Sequence, residues 1–128
     1  MTKDLFLNFL DESKLSERRL HHDGVYASYY LGDRKKVKII LLDVKYNKVE
    51  NDILGEKQWK WLETQLWKNN ASITIFATPT QFLPDDRYFN SWDPESRDRF
   101  LKLLKKTGTK GKISFLNKFL IYLFYEKL

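Results

Sequence analysis

The residues of this chain best placed for chemistry stand just after two apolar runs. Asp43 follows Val37–Leu42, and Gln81 ends the segment Thr78-Pro79-Thr80-Gln81 that follows Ser72–Ala77. The carboxyl ends of buried strands are where α/β sheets place ligands; a turn-forming role is the alternative for the aspartate. His21, His22 and Asp23 carry metal-binding groups. Adjacent side chains of an extended segment point apart, however, and a closed site needs three or four converging ligands. Arg18 and Arg19 suit an anion or a solvated loop, and Asp85 and Asp86 suit a cation or an acidic turn. The absence of cysteine excludes disulfides and thiolate chemistry.

Regular elements must position these groups. Val37–Leu42 is β-branched or leucine apart from Lys38, the pattern of a strand buried on both faces. A helix is expected from about Gly55 and Glu56 to Asn69 and Asn70, with Trp59, Leu62 and Leu66 on its buried face. Trp61 and Trp67 lie off that stripe and either cover a core edge or offer a stacking platform. Ser72–Ala77 reads as the next buried strand, so that strand, helix and strand form a right-handed parallel crossover. Asp43 and Gln81 then emerge at one sheet edge.

Upstream, Asp4–Leu10 suits a short helix capped by Thr2, and the polar stretch 13–23 reads as a connection. A strand from Gly24 would turn through the segment Gly32–Lys36 to pair antiparallel with the central strand. Downstream, 83–88 reads as a loop. Asp93-Pro94 starts a helix that runs to about Lys106, burying Phe100, Leu101 and Leu104, with Gly108 as its stop.

Several of these stretches occur in the order found in a known family. LLDVKY, LGEKQWKWLETQL, TPTQFLPDD and WDPESRDRFLKLL, preceded by FLNFLDESKLSERRLHHDGVYASYYLG, resemble the latter part of PhoD-like (alkaline phosphatase D) metallophosphatases over about 6–116. The resemblance implies a single partial domain over 1–128. Its fold would be α/β, a partial metallophosphatase-type sandwich with buried strands and covering helices.

The resemblance further implies hydrolysis of phosphate esters with divalent or trivalent metal ions held by Asp, His and Asn ligands. The family's early ligand motifs precede the stretch represented here. Its later Gly-Asp-x-His is replaced after Leu116 by Asn117, Lys118 and Phe119, which opens a divergent tail over 117–128. No residue of this chain is therefore assigned to a metal or cofactor, and the chain is expected to be inactive alone. Asp43-Val44-Lys45 stands where the family has Asp-Thr-Arg, so Lys45 keeps a charge but not the bidentate geometry. Asp43, Lys45 and Gln81 are the site-edge candidates, and Arg97 and Arg99 match the arginine-bearing helix of the family.

With 128 residues, 42% hydrophobic and 16% aromatic, the composition predicts a packed core rather than disorder. The 23 basic and 17 acidic residues give a net charge of +6, but they are interspersed, as on a solvated surface. A non-catalytic basic interaction module on the same scaffold is the alternative function, and nucleic acid is not the expected partner. No signal peptide or membrane-spanning run is visible, which taken literally places the chain in the cytoplasm. If a second sheet is missing, the strands from Gly24 to Ala77 expose an apolar face, and self-association is expected.

Overall fold

A computed structural model describes residues 2–82, 91–109, 112–116 and 121–124. The chain begins with α1 (Lys3–Phe9), where Thr2 Oγ1 accepts the Leu5 amide as expected of an N-cap. The stretch expected to be a plain connection contains a one-turn helix, α2 (Glu17–Leu20), capped in the same way by Ser16 on the Arg19 amide. The first strand, β1 (Ala27–Leu31), starts later than its alternating pattern suggested. A 3-10 turn at Asp33–Lys35, with Arg34 and Lys35 both at positive φ, leads into β2 (Val37–Leu41).

From there the chain follows the anticipated crossover, β2, α3 (Glu56–Trp67) and β3 (Ile73–Ala77), and adds a second through α4 (Pro94–Lys106) to β4 (Lys112–Leu116), with β5 (Ile121–Phe124) at the end. The sheet order is β1-β2-β3-β4-β5. The central pairs β2–β3 and β3–β4 are parallel, and each is flanked by an antiparallel edge strand. The fold is thus α/β with a mixed sheet. The described part of the divergent tail is a strand on the sheet edge. The expected loop at 83–88, with Asp85 and Asp86, and the remaining tail residues lie outside the described residues.

Both crossover helices bury their apolar stripes in one cluster with Ile40 and Phe76. Trp59, Leu62 and Leu66 of α3 share this cluster with Phe100, Leu103 and Leu104 of α4, and Phe82, Trp92 and Phe100 pack edge to face. Successive crossovers of one hand along one direction place their helices on the same face. The burial of β2 on both faces is accordingly corrected. Lys38, Ile40, Thr74 and Phe76 are buried, whereas Val37, Ile39, Leu41, Ile73, Ile75 and Ala77 are only half-buried. Leu101, expected in the core, is exposed, and Leu103 takes its place.

Lys38 lies on the covered face at 1% exposure. Its ammonium donates to the Gln65 carbonyl oxygen (2.7 Å) and sits 4.9 Å from the centre of the Tyr30 ring. Burial, reinforced by the charge of Lys68, pushes its pKa down from 10.5 to about 8. The unfolded chain therefore holds a proton that the folded chain releases between these values. The burial penalty is complete below about pH 8 and is relieved as pH rises towards 10.5. Lys38→Met is expected to match or exceed the wild type in stability at pH 7, and to remove an alkaline gain on the order of 2 kcal/mol. Urea unfolding of both proteins at pH 7 and pH 10 measures this; a wild type no more stable at pH 10 than its variant predicts would contradict it.

Candidate functional site

The parallel register Leu41–Ala77 brings the ends of β2 and β3 side by side, and the Leu42 amide donates to the Ala77 carbonyl oxygen just beyond them. Asp43 and the segment Thr78–Gln81 therefore leave the sheet at one edge, as the crossover required. Their chemical situations are opposite.

Asp43 is buried, and its carboxylate is engaged by the backbone. The Val25 amide donates to Oδ2 (2.9 Å), and the Lys45 and Tyr46 amides donate to Oδ1 (3.0 Å each). A Cβ on Gly24 would lie 2.9 Å from Oδ2, so this close approach needs glycine. The Asp43 backbone is held as tightly by Gln58: its amide donates to Oε1 (2.9 Å), and Nε2 donates to its carbonyl oxygen (2.6 Å). Asp43 thus performs the turn-forming role and joins the approach to β1, the exit from β2 and the first turn of α3. Gln58 was missed from sequence. Its signal was its spacing, because Gln58, Leu62 and Leu66 recur at intervals of four on the buried face.

Gln81 is 4% exposed, and neither its Oε1 nor its Nε2 has a hydrogen-bond partner among the described residues. The half-buried Thr80 hydroxyl is unpartnered as well. The backbone here is well tied, since the Trp92 amide donates to the Gln81 carbonyl oxygen (2.8 Å) and the Trp92 indole N–H donates to Thr78 Oγ1 (3.2 Å). A buried amide without partners costs about 1–3 kcal/mol, and native structures retain few such groups. A ligand group that meets both the donor and the acceptor of Gln81 removes that cost.

Lys45 is exposed at the same edge. It lines a groove of about 530 Å³ together with Lys48, Glu50 and Asn51 from the loop after β2 and with Trp92 and Asp93 before α4. Asp52 holds this loop in shape by accepting the Leu54 and Gly55 amides and the Trp59 indole N–H at one oxygen (3.1, 3.0 and 2.8 Å). The buried Ser96 hydroxyl of α4 accepts the Ile53 amide (3.0 Å).

The other sequence candidates are not brought to this edge. Arg18 is buried, donating to the Val25 carbonyl oxygen (2.6 Å) and pairing with Glu12, while Arg19 donates to the carbonyl oxygens of Glu12 and Ser13. Both arginines therefore fasten the N-terminal segment rather than present an anion site. His21 is exposed, His22 bonds to the Tyr26 carbonyl oxygen through Nδ1 (2.7 Å), and Asp23 pairs with Lys57. No cluster of three metal-binding side chains occurs among the described residues. Arg99 pairs with Glu56 (2.9 Å) and lies over the Trp59 ring, and Arg97 is half-buried on α4. Trp67 is exposed, and Trp61 packs against the core edge.

No protein-family model matches the chain, and neither a curated protein nor a solved structure matches it at a significant level. No helix among the described residues is long and apolar enough to cross a membrane.

The two strand-end residues predict opposite stability effects. Asp43→Ala strands three amide donors and is expected to lose about 3 kcal/mol. Gln81→Met removes two unpartnered polar atoms and is expected to gain about 1–2 kcal/mol. Chemical denaturation of the two variants beside the wild type measures both, and a destabilised Gln81→Met would show that the amide has a structural partner.

Proposed function

We propose that this chain forms part of the scaffold of a PhoD-like, metal-dependent phosphatase, with the carboxyl edge of β2 and β3 turned towards a phosphate-ester substrate. The observation that carries the reading is the buried, unpartnered amide of Gln81 at the strand-end edge from which the exposed Lys45 also emerges. An amide donor and a cation at a strand-end edge suit a phosphate oxygen, and burial around the amide strengthens such a contact. Asp43 serves this edge by fixing its shape.

The sandwich part of the reading is supported by the half-buried face of β2 and β3. All six of its described positions on these strands are apolar, so a second sheet would close there. A chain with only one sheet is expected to pair through that face with a second copy, since like faces without charge do not repel. The alternative of a basic interaction module is favoured less. Arg99, Lys102 and Lys106, three of the five basic residues on α4, pair with Glu56, Asp98 and Glu63, which reduces the charge that helix offers a partner.

In this reading the metals of the complete family bind through ligands that this sequence does not carry. The purified chain supplied with iron, calcium or zinc is therefore expected to hydrolyse p-nitrophenyl phosphate no faster than a protein-free blank. Inorganic phosphate at millimolar concentration is expected to shift the amide resonances of Lys45 and Gln81, and Gln81→Met is expected to abolish those shifts. Turnover above the blank, or phosphate shifts that leave Lys45 and Gln81 untouched, would overturn the reading.

A further inference from the structure

A second groove lies away from the strand ends, between α2 and α3. Its wall on α3 carries Lys57, Lys60, Trp61 and Gln65, whose spacings of three and four place them on one helix face. Glu17 and His22 face them from the other side. The groove measures about 510 Å³, and a smaller one of about 180 Å³ adjoins it and shares Glu17, His22, Trp61 and Gln65. Small-molecule sites span roughly 300–1,000 Å³.

The chemistry of this groove is ordered. Its aromatic part is Trp61 with His22 and Tyr26: His22 stacks flat on Tyr26 (4.2 Å, 19°), whereas His22 meets Trp61 edge-on (70°) and Tyr26 is tilted against it (52°). Neither ring lies flat on the indole, and Trp61 is only half-buried, so it keeps a π face for a planar ligand. Burial lowers the His22 pKa and favours the neutral imidazole, which keeps this aromatic wall uncharged.

Beside the rings, Lys57 and Lys60 stand in the first turns of α3, at the positive end of its dipole. Lys57 shares its charge with Asp23, while Lys60 has no ion-pair partner among the described residues. Beyond the rings, Gln65 Oε1 accepts the Ser28 hydroxyl (2.8 Å), which leaves Nε2 as a donor in a groove that Glu17 also lines. A cation, a π face and a neighbouring donor and acceptor follow one another along the groove.

We propose that this groove binds a purine nucleoside monophosphate, with the base stacked on Trp61, its polar edge paired with Gln65 and Glu17, and its phosphate held by Lys57 and Lys60. The groove suits a free nucleotide in size, with one ring, Trp61, for a base and one pair of lysines, Lys57 and Lys60, for a phosphate. The proposal does not rest on the phosphatase reading, because it uses none of the strand-end residues.

Calorimetric titration of the full chain with adenosine 5′-monophosphate, adenosine and inorganic phosphate, each alone at low salt, tests it. The nucleotide is expected to bind in the submillimolar range, with adenosine and phosphate each weaker by roughly tenfold or more. Lys60→Ala should reduce nucleotide affinity to that of adenosine, and Trp61→Ala to that of phosphate, while Lys102→Ala leaves it unchanged. Should Trp61→Ala fail to fold, Lys60→Ala and Gln65→Ala decide. Absence of nucleotide binding at millimolar concentration, phosphate binding as tight as the nucleotide, or tighter binding of a single-stranded RNA oligomer would each overturn the proposal. Amide shifts induced by adenosine 5′-monophosphate, read by NMR and confined to Lys45 and Gln81, would overturn it too, while leaving the phosphate edge in place.

Discussion

The fold depends on one buried carboxylate. Asp43 accepts three backbone amides, from Val25, Lys45 and Tyr46, while the Gln58 carboxamide closes a second ring of hydrogen bonds on its main chain. Charge-assisted bonds of this kind contribute about 1.5–3 kcal/mol each when the partners are desolvated, and losing the acceptor leaves donors with no other outlet. The approach to β1, the exit from β2 and the start of α3 meet at this residue. An acid so fully committed has little capacity left for a ligand. Chemistry at this edge therefore falls to the side chains that the backbone has not claimed, Gln81 and Lys45.

The second constraint is the asymmetry of the sheet. Because α3 and α4 share a face, side chains of even number on β2 and β3 are sealed, while the odd-numbered ones stay half-open. Lys38 falls on the sealed side, where, among the described residues, the Gln65 carbonyl and the Tyr30 ring receive its charge. Burying a cation against a dipole and a π face, with Lys68 nearby, is a poor exchange for water, which is why its pKa falls. The other side is apolar and only half covered.

Sequence pattern was a good guide where local chemistry decides. Thr2 and the Asp93-Pro94 pair mark helix starts through capping geometry that needs no tertiary partner, and the strand–helix–strand order fixed the shared edge of Asp43 and Gln81. It was a poor guide where burial depends on which side a neighbour occupies. A β-branched run looks the same whether one face or both are covered, and the difference between Leu101 and Leu103 is a rotation of α4 by two residues. The polar groups were hardest to read. Arg18 and Gln58 resemble surface residues, yet both are buried because a backbone carbonyl or amide lies within their reach. The spacing of Gln58 with Leu62 and Leu66 marks its face, but a one-dimensional pattern does not name the backbone partner of either residue.

The helix α3 joins these themes. Gln58 fixes its first turn to the strand end by bonding Asp43, and Leu62 and Leu66 hold the rest of that face against the core. Once the rotation of the helix is set, the orientation of its neighbouring stripe is set as well, since residues three or four apart share a face. Lys57, Lys60, Trp61 and Gln65 are therefore presented to α2 by the same contact that shapes the strand-end edge. A change that loosens the Asp43–Gln58 ring is expected to disturb both grooves, whereas a change at Lys45 or Lys60 alters one and spares the other. The two surfaces are chemically separate, yet they rest on a single mechanical support.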